Sequence, residues 1–312
     1  MKDAAAIERV AVIGAGVIGA SWTTLFLAAG LEVDVFDPAE NTEASVRAYI
    51  ANAWPVVQRL TGDAKGNPDA VRFFRDAGDA VAEAQFIQEN VPEKLPVKLA
   101  TYAEIEPRLA PEAIVATSTS GLMLSELQAG WTDPSRLLLA HPFNPPHLIP
   151  LVELFANDRT APGILESAEA FYAALGKETI RLQREVPGHV ANRLQAALWR
   201  EAIHLATTGV ATVGDVDKAI WAGPGIRWAA MGPHTLFSLA AGEGGMRAFC
   251  EHFADSFHRW WPDLGTPQIT EDVVQKLADG IAEEWKGQGV SDIEEKRDNL
   301  ILDILEAVSK HR

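Results

Sequence analysis

The histidine and glutamate most suited to proton transfer are His141 and Glu153. His141 follows the apolar run Leu137-Leu138-Leu139, and Glu153 lies in a second apolar run twelve residues later. An imidazole, whose unperturbed pKa is about 6.5, accepts or releases a proton near neutral pH. A carboxylate bound to the other ring nitrogen would orient the imidazole and stabilise its charged form. The pair predicts a general base, although Glu153 could also be an ordinary charge at a strand end.

A hydroxyl and an amide accompany this pair. Ser120 lies in the segment Thr117-Ser118-Thr119-Ser120-Gly121-Leu122, and Asn192 ends the segment Pro187-Gly188-His189-Val190-Ala191-Asn192. In open parallel sheets, ligands collect beyond the carboxyl ends of the strands, so these segments should converge on one crevice. Other roles are open, because serine runs often cap helices and an amide at a helix start is often solvated.

The remaining histidines have no such placement. We expect them to be surface or satisfied core residues: His147, His189, His204, His234, His252, His258 and His311.

A glycine motif near the start of the chain predicts a dinucleotide site. Gly14-Ala15-Gly16-Val17-Ile18-Gly19 follows a strand pattern and opens a helical one. In that context Gly14 permits a tight turn, Gly16 lets the backbone approach a pyrophosphate, and Gly19 lets helix and strand pack closely. The helix start at Val17 and Ile18 would offer unpaired N–H groups to the phosphates. Without a ligand, the same glycines would be simple turn residues.

Asp37 ends the next predicted strand, about 20 residues after the glycines, where an acid accepts hydrogen bonds from the adenosine ribose. A carboxylate there would repel a 2′-phosphate, and no arginine stands beside it, so the sequence favours NAD over NADP. The glycine motif alone would also allow a flavin.

The elements that must position these residues form an α/β pattern. Short β-branched runs alternate with helical stretches, which predicts a Rossmann-type, doubly wound and mostly parallel sheet followed by an all-α C-terminal domain. The predicted strands are 10–13, 32–36, 86–87, 114–116, 137–139 and 151–154, and the clearest helices are 17–29, 41–60 and 190–208.

The strand pattern stops near Pro187-Gly188, and we place a domain boundary at residue 186. Residues 1–186 would form the NAD-binding domain, and residues 187–312 a helical domain for substrate binding and dimerisation. Six of the nine tryptophans lie in the second part: Trp199, Trp221, Trp228, Trp260, Trp261 and Trp285.

Composition narrows the possible partners. The net charge is −16, with a sequence pI near 4.9, which argues against nucleic acid and anionic membrane surfaces. The chain has one cysteine, Cys250, which excludes an internal disulfide. The sequence has no cluster of histidines and acids that would predict a metal site. Since the first residues lack a signal-peptide pattern and no apolar run would span a bilayer, we expect a cytoplasmic protein.

The glycine motif and these polar segments together resemble the 3-hydroxyacyl-CoA dehydrogenase family across nearly the whole chain. Within the family, the segments Arg227-Trp228-Ala229-Ala230-Met231-Gly232-Pro233 and Ala240-Ala241-Gly242-Glu243-Gly244-Gly245-Met246 are similar to those of the short two-domain members that oxidise carnitine. Two departures from acyl-CoA members, Thr117-Ser118-Thr119-Ser120-Gly121 and His141-Pro142-Phe143-Asn144-Pro145, put acyl-CoA as the substrate in doubt.

The resemblance implies an NAD-dependent 3-hydroxy dehydrogenase that acts as a homodimer. His141 would take the hydroxyl proton while hydride leaves for the nicotinamide, with Glu153 as its partner. Ser120 and Asn192 would donate hydrogen bonds to the substrate oxygen. Glu93 and Lys98 would lie near the nicotinamide ribose.

A quaternary ammonium hydroxy acid is the substrate that the resemblance favours. Its trimethylammonium group has no N–H and is recognised by aromatic faces. Phe143, Trp228 and Phe253 are candidate aromatics, and Arg193 is a candidate partner for the carboxylate. Most aromatics of the helical domain should instead form core or subunit interface.

Two alternatives remain. The same chemistry could act on gulonate or a short 3-hydroxyacyl-CoA, which would need many hydrogen-bonding groups or basic residues at the pocket. The chain could also be a non-catalytic NAD-binding protein. The set of Ser120, His141, Glu153 and Asn192 argues against the second, because a binding protein has no use for a base.

Overall fold

The computed structural model describes residues 7–62 and 65–311. It divides the chain into two compact units, Met1–Asn192 and Arg193–Arg312. The sequence-based boundary at residue 186 remains a prediction.

The first unit contains a mixed eight-stranded sheet with the strand order β3-β2-β1-β4-β5-β6-β7-β8. Neighbouring strands are parallel except for β6 and β7, which pair antiparallel. This is the predicted Rossmann-type architecture, and that prediction is confirmed. The strands are β1 (Arg9–Ile13), β2 (Glu32–Phe36), β3 (Arg72–Phe74), β4 (Phe86–Glu89), β5 (Ile114–Thr117), β6 (Leu137–Pro142), β7 (Leu151–Phe155) and β8 (Glu178–Arg181).

Strands β3 and β8 form the two edges of the sheet and are absent from the sequence-based list. Each is short and rich in polar or half-exposed residues. An edge strand buries little surface, so its sequence lacks the continuous apolar run that identifies a central strand.

Six helices cover the sheet: α1 (Val17–Ala28), α2 (Thr42–Thr61), α3 (Ala77–Val81), α4 (Leu95–Ile105), α5 (Leu124–Gln128) and α6 (Ile164–Ala174). Alternate residues of β1 enter two different apolar clusters, because successive side chains of a strand point to opposite faces. Val10 and Val12 pack with Trp22 and Phe26 of α1. Ala11 and Ile13 pack in the cluster that contains Tyr102 of α4. Both faces of the central strands are therefore buried, which leaves the strand ends as the accessible part of the centre of the sheet.

Among the described residues, the second unit is helical. Its helices are α7 (Ala191–Thr207, which begins in the first unit), α8 (Val213–Ile220), α9 (Ile226–Ala230), α10 (Pro233–Ala240), α11 (Gly245–Trp260), α12 (Glu271–Trp285) and α13 (Val290–Ser309). A π-helical turn at Trp221–Gly225, kinked at Gly223 next to Pro224, joins α8 to α9. Phe237 of α10 stacks on Phe249 of α11 with ring centres 4.6 Å apart. No helix in the described parts of the chain has the length and apolar character needed to cross a membrane.

Candidate active site

His141 and Glu153 are brought together by the one antiparallel pairing of the sheet. They lie directly opposite each other in the register of β6 and β7. Side chains of directly opposed residues point to the same face and lie within reach of each other. His141 Nδ1 is 2.8 Å from Glu153 Oε2, and both side chains are buried.

The hydrogen bonds of Glu153 determine which nitrogen of His141 carries hydrogen. Its other oxygen, Oε1, accepts the backbone N–H of Val190 at 2.8 Å and of Ala191 at 3.0 Å. Burial alone would raise the pKa of Glu153, but the hydrogen bonds from His141, Ala191 and Val190 outweigh it and lower the pKa below its ordinary value. An ionised carboxylate can only accept, so Nδ1 of His141 holds the hydrogen. Nε2 then carries the lone pair that a general base needs.

The serine loop is organised by Glu93. Glu93 Oε1 accepts the hydroxyl of Thr119 at 2.6 Å and the backbone N–H groups of Ser120 at 2.9 Å, Gly121 at 2.7 Å and Leu122 at 3.2 Å. Burial opposes ionisation, but the Thr119 hydroxyl, the charge of Lys98 and the loop amides together lower the pKa of Glu93. Glu93 therefore holds the loop that carries Ser120, and a contact with the cofactor ribose remains a prediction.

Glu89, which is not among the residues predicted from the sequence, accepts hydrogen bonds from residues next to Glu93 and the Ser120 loop. Its buried carboxylate accepts Lys98 Nζ at 2.8 Å, the Tyr102 hydroxyl at 2.6 Å and the Thr117 hydroxyl at 2.6 Å. Lys98 is also buried and lies 3.6 Å from Glu93 Oε2. The ammonium group predicted to lie near the ribose is thus shared between two carboxylates. Spacing along the chain does not mark Glu89, because its partners come from other segments, up to 28 residues away.

A second imidazole lies beside His141. The ring centre of His189 is 5.2 Å from that of His141, and its Nε2 is 3.0 Å from the carbonyl oxygen of Thr119. His189 is buried, as expected of a satisfied core histidine. Its closeness to the candidate base was not apparent from spacing, since the two residues belong to distant segments.

Phe143 and Asn192 complete the neighbourhood of this pair in the first unit. The ring of Phe143 meets that of His141 edge to face, with centres 5.6 Å apart. Asn192 is the second residue of α7, directly after the backbone N–H groups that bind Glu153. Their contacts with a substrate remain predictions.

The other candidate substrate residues belong to the second unit. Arg193 is exposed on α7, Trp228 is exposed on α9, and Phe253 packs against Phe249 on α11 with ring centres 4.8 Å apart. Their predicted roles toward a substrate are untested.

The glycine motif has the backbone geometry that a dinucleotide requires. Gly14 has a φ of +88°, and a Cβ there would lie 2.7 Å from backbone atoms of Asn90 and Val91. A Cβ on Gly19 would lie 2.0 Å from the carbonyl oxygen of Gly14. A Cβ on Gly16 would meet nothing within 4 Å, so its backbone faces open space. Two glycines therefore serve packing, and the third leaves room for a ligand.

The groups next to Gly16 suit an anionic and hydroxyl-rich ligand. The first i→i−4 bond of α1 is made by Ala20 N–H to Gly16, so Val17, Ile18 and Gly19 present their N–H groups at the helix start. Asp37 Oδ2 accepts Ala15 N–H at 2.8 Å, which holds the carboxylate beside the motif. These residues fit a dinucleotide: the N–H groups after Gly16 would hold its pyrophosphate, and Asp37 would accept hydrogen bonds from its ribose.

Two alanine substitutions should separate the packing role from the ligand role. Gly19→Ala should destabilise the protein by about 1–3 kcal/mol, because the turn must move away from the new Cβ. Gly16→Ala should change the melting temperature little yet weaken NAD binding by about tenfold or more, because its methyl group occupies the approach of the pyrophosphate. Thermal melts and calorimetric NAD titrations measure both. Equal melting temperatures for the two variants would contradict this division.

Comparison with known proteins extends over both units. Residues 9–186 match the family of the 3-hydroxyacyl-CoA dehydrogenase NAD binding domain, and residues 188–284 match the C-terminal domain of the same enzymes. L-carnitine dehydrogenase of Streptomyces coelicolor is 43% identical over 97% of this chain and 96% of its own length. L-carnitine dehydrogenase of Pseudomonas putida is 40% identical over 98% of this chain and 95% of its own length.

Solved structures agree with the fold. FHMPC 5-dehydrogenase, an NAD+-dependent dismutase, superposes with a TM-score of 0.83 at 28% identity, covering 97% of this chain and 99% of its own. FadB2 of M. tuberculosis superposes with a TM-score of 0.67 at 30% identity, covering 88% of this chain and 95% of its own.

Proposed function

Because the chain belongs to the 3-hydroxyacyl-CoA dehydrogenase family, we propose that it oxidises the 3-hydroxyl of L-carnitine to the ketone, 3-dehydrocarnitine. The coarser statement follows from the family itself: the chain is an NAD-dependent oxidoreductase that acts on the CH–OH group of a small molecule. The choice of L-carnitine is supported by the relatives of that name, which are 40% and 43% identical over nearly the whole chain.

The observation that carries the chemistry is the buried pair of His141 and Glu153. In the proposed reaction, His141 Nε2 takes the proton of the 3-hydroxyl while the carbinol carbon gives up a hydride. Bound NAD would supply the hydride acceptor, with the residues around Gly16 and Asp37 as the candidates that would hold it. Glu153, which accepts the Nδ1 hydrogen at 2.8 Å, stabilises the imidazolium that results. In the reverse direction the same nitrogen returns the proton.

Ser120 and Asn192 are proposed to donate hydrogen bonds to the substrate oxygen. Donors held in place before the reaction stabilise charge as it develops, without reorganisation during the step. The Thr119 hydroxyl and the backbone N–H groups of Ser120, Gly121 and Leu122 all donate to Glu93 Oε1, and these bonds support this role because they restrain the loop backbone. The Ser120 hydroxyl also lies 3.5 Å from the same oxygen. In this proposal Glu93 restrains the loop that carries Ser120, and Glu93 and Lys98 lie near the nicotinamide ribose of the cofactor.

The proposed substrate also needs recognition at its two charged ends. A trimethylammonium group is attracted to aromatic faces by about 0.5–2 kcal/mol per contact. Phe143, beside His141, is the first candidate, with Trp228 and Phe253 as further ones. Arg193 is proposed to bind the carboxylate, since a guanidinium matches that group in shape and charge.

A substrate panel tests the function. NADH formation should be observed with L-carnitine and NAD, and not with L-gulonate or 3-hydroxybutyryl-CoA. Turnover of either alternative without turnover of L-carnitine would overturn the substrate and leave the dehydrogenase chemistry intact. NAD binding without turnover of any member would favour the non-catalytic alternative.

Asp37 is proposed to select NAD against NADP. Asp37→Ala should weaken NAD binding by about tenfold, because charge-assisted hydrogen bonds to the ribose are lost, and should narrow the preference over NADP. Calorimetric titration with both cofactors measures this, with Glu40→Ala as a control for an exposed neighbouring charge. An unchanged cofactor preference would show that Asp37 does not face the ribose.

We also propose that the protein is a homodimer that uses its helical unit. Trp199, Trp221, Trp260 and Trp261 each leave between 53% and 62% of their surface exposed, which is costly for large apolar side chains in an isolated subunit. Light scattering at micromolar concentration should give about twice the chain mass of 33.8 kDa. A single-chain mass would overturn the dimer.

A further inference from the structure

His189 lies in the candidate site, but the proposed reaction gives it no task. It follows Pro187-Gly188, where Gly188 has a φ of +74° and His189 itself has a φ of +51°. The left-handed region is unfavourable for a residue with a side chain, so the surrounding contacts must hold His189 there. Its backbone N–H donates to the Val186 carbonyl at 3.1 Å.

This turn reaches two parts of the site at once. The next two backbone N–H groups, of Val190 and Ala191, donate to Glu153 Oε1. The His189 ring points to the other side and contacts the carbonyl oxygen of Thr119, the residue before Ser120. The turn therefore links the partner of the candidate base to the loop that carries the candidate substrate donor.

The contact with Thr119 determines which ring nitrogen of His189 carries hydrogen. A carbonyl oxygen can only accept, so Nε2 of His189 carries the hydrogen of this 3.0 Å bond. Burial lowers the pKa of His189, and the neighbouring His141 lowers it further, whereas the bond to Thr119 and the charges of Glu153 and Glu93 oppose the shift. The imidazole is thus neutral at neutral pH. A second positive charge beside a protonated His141 would be repelled.

We propose that His189 is a positioning residue that holds the Ser120 loop at a fixed distance from His141 and leaves His141 as the only imidazole of the pair that takes up the reaction proton. The inference rests on the proposed function for its catalytic consequence, but not for its structural content. A neutral His189 that donates to Thr119 would restrain the loop. The positive charge that forms during the reaction would then stay on His141, the hydrogen-bond partner of Glu153.

Two substitutions test the positioning. His189→Phe retains a ring of similar size but removes the donor, and it should lower kcat by about 10- to 100-fold while NAD affinity stays within about twofold of wild type. His189→Gln places an amide N–H near the position of Nε2 and cannot become charged, so it should retain kcat within about threefold. Equal losses of kcat in both variants at similar melting temperatures would overturn the proposal.

A second measurement does not depend on turnover or on the folding of a variant. In the wild-type protein labelled at its histidine rings, NMR should show His189 as the neutral Nε2–H tautomer at neutral pH. The His189 signal is assigned by its absence in His189→Gln, or by contacts to Thr119 if that variant does not fold.

Failure of the positioning role of His189 and failure of the proposed function would give different results. An Nδ1–H tautomer, or a His189 that is charged at neutral pH, would overturn the positioning role even if L-carnitine is oxidised. No turnover of any substrate, with the Nε2–H tautomer intact, would overturn the proposed function and retain the placement of the loop by His189.

Discussion

Alanine in place of His141 should lower kcat by about 10²- to 10⁴-fold and leave NAD affinity nearly unchanged. General acid–base catalysis by a positioned side chain contributes an effect of this size. The glycines and Asp37 that are proposed to bind NAD lie on other segments, so the cofactor site should be unaffected. Steady-state kinetics with L-carnitine and direct NAD titration measure the two quantities separately.

The control for His141→Ala is His311→Gln, which changes an exposed histidine at the end of the chain. This variant should match wild type in kcat and melting temperature. Near-normal turnover of His141→Ala would remove His141 from its proposed role. A parallel loss of NAD affinity would show that the substitution disturbs the nucleotide-binding domain as a whole.

Glutamine in place of Glu153 should lower kcat by about 10²-fold or more. The amide keeps the size of the carboxylate, and its oxygen can still accept the N–H groups of Val190 and Ala191. Its NH2 group would then face His141 Nδ1 and favour hydrogen on Nε2, which is the tautomer that cannot act as a base. The negative charge that stabilises the imidazolium is lost as well.

NMR of the labelled histidine rings distinguishes this effect from a loss of packing. In Glu153→Gln the hydrogen of His141 should move from Nδ1 to Nε2, because the amide NH2 donates to Nδ1. Glu166→Gln, which alters an exposed carboxylate paired with Arg181, is the matched control and should leave the tautomer unchanged. A loss of kcat in Glu153→Gln with hydrogen still on Nδ1 would contradict this explanation.

Glu153 also makes a contribution to stability that depends on pH. Its pKa is lower in the folded protein than in the unfolded chain, so the folded state holds this proton less tightly. The stabilisation is complete above the ordinary carboxyl pKa and is lost as the pH falls through the lowered value.

The two-residue core of the site could be predicted from the chain because the strands that carry it are strongly patterned. His141 follows one apolar run and Glu153 lies in another, and such runs favour buried strands, where a polar residue needs a partner. Their mutual contact could not be derived in the same way. It depends on β7 running antiparallel to β6, and a parallel arrangement would have separated them.

The residues around Ser120 show where prediction stopped. The resemblance places Glu93 and Lys98 near the nicotinamide ribose, and that placement stays a prediction. The structure adds hydrogen bonds that the resemblance does not give, from the loop amides to Glu93 and from Lys98 to Glu89. A buried carboxylate accepts hydrogen bonds from the donors that lie nearest to it in the folded chain, and those donors come from segments far apart in sequence. Spacing along the chain does not contain that information.

By itself, the amino-acid sequence determined the α/β architecture, the dinucleotide-binding turn and the identity of the candidate base, because each is encoded by local periodicity, by glycine at special backbone positions or by the chemistry of one side chain. Only the tertiary structure decided which groups share protons and hydrogen bonds: Glu153 with His141, Glu89 with Lys98, and His189 with Thr119. These pairings arise from strand direction and from the free-energy cost of leaving a buried charged or polar group without a partner, and both are properties of the folded chain.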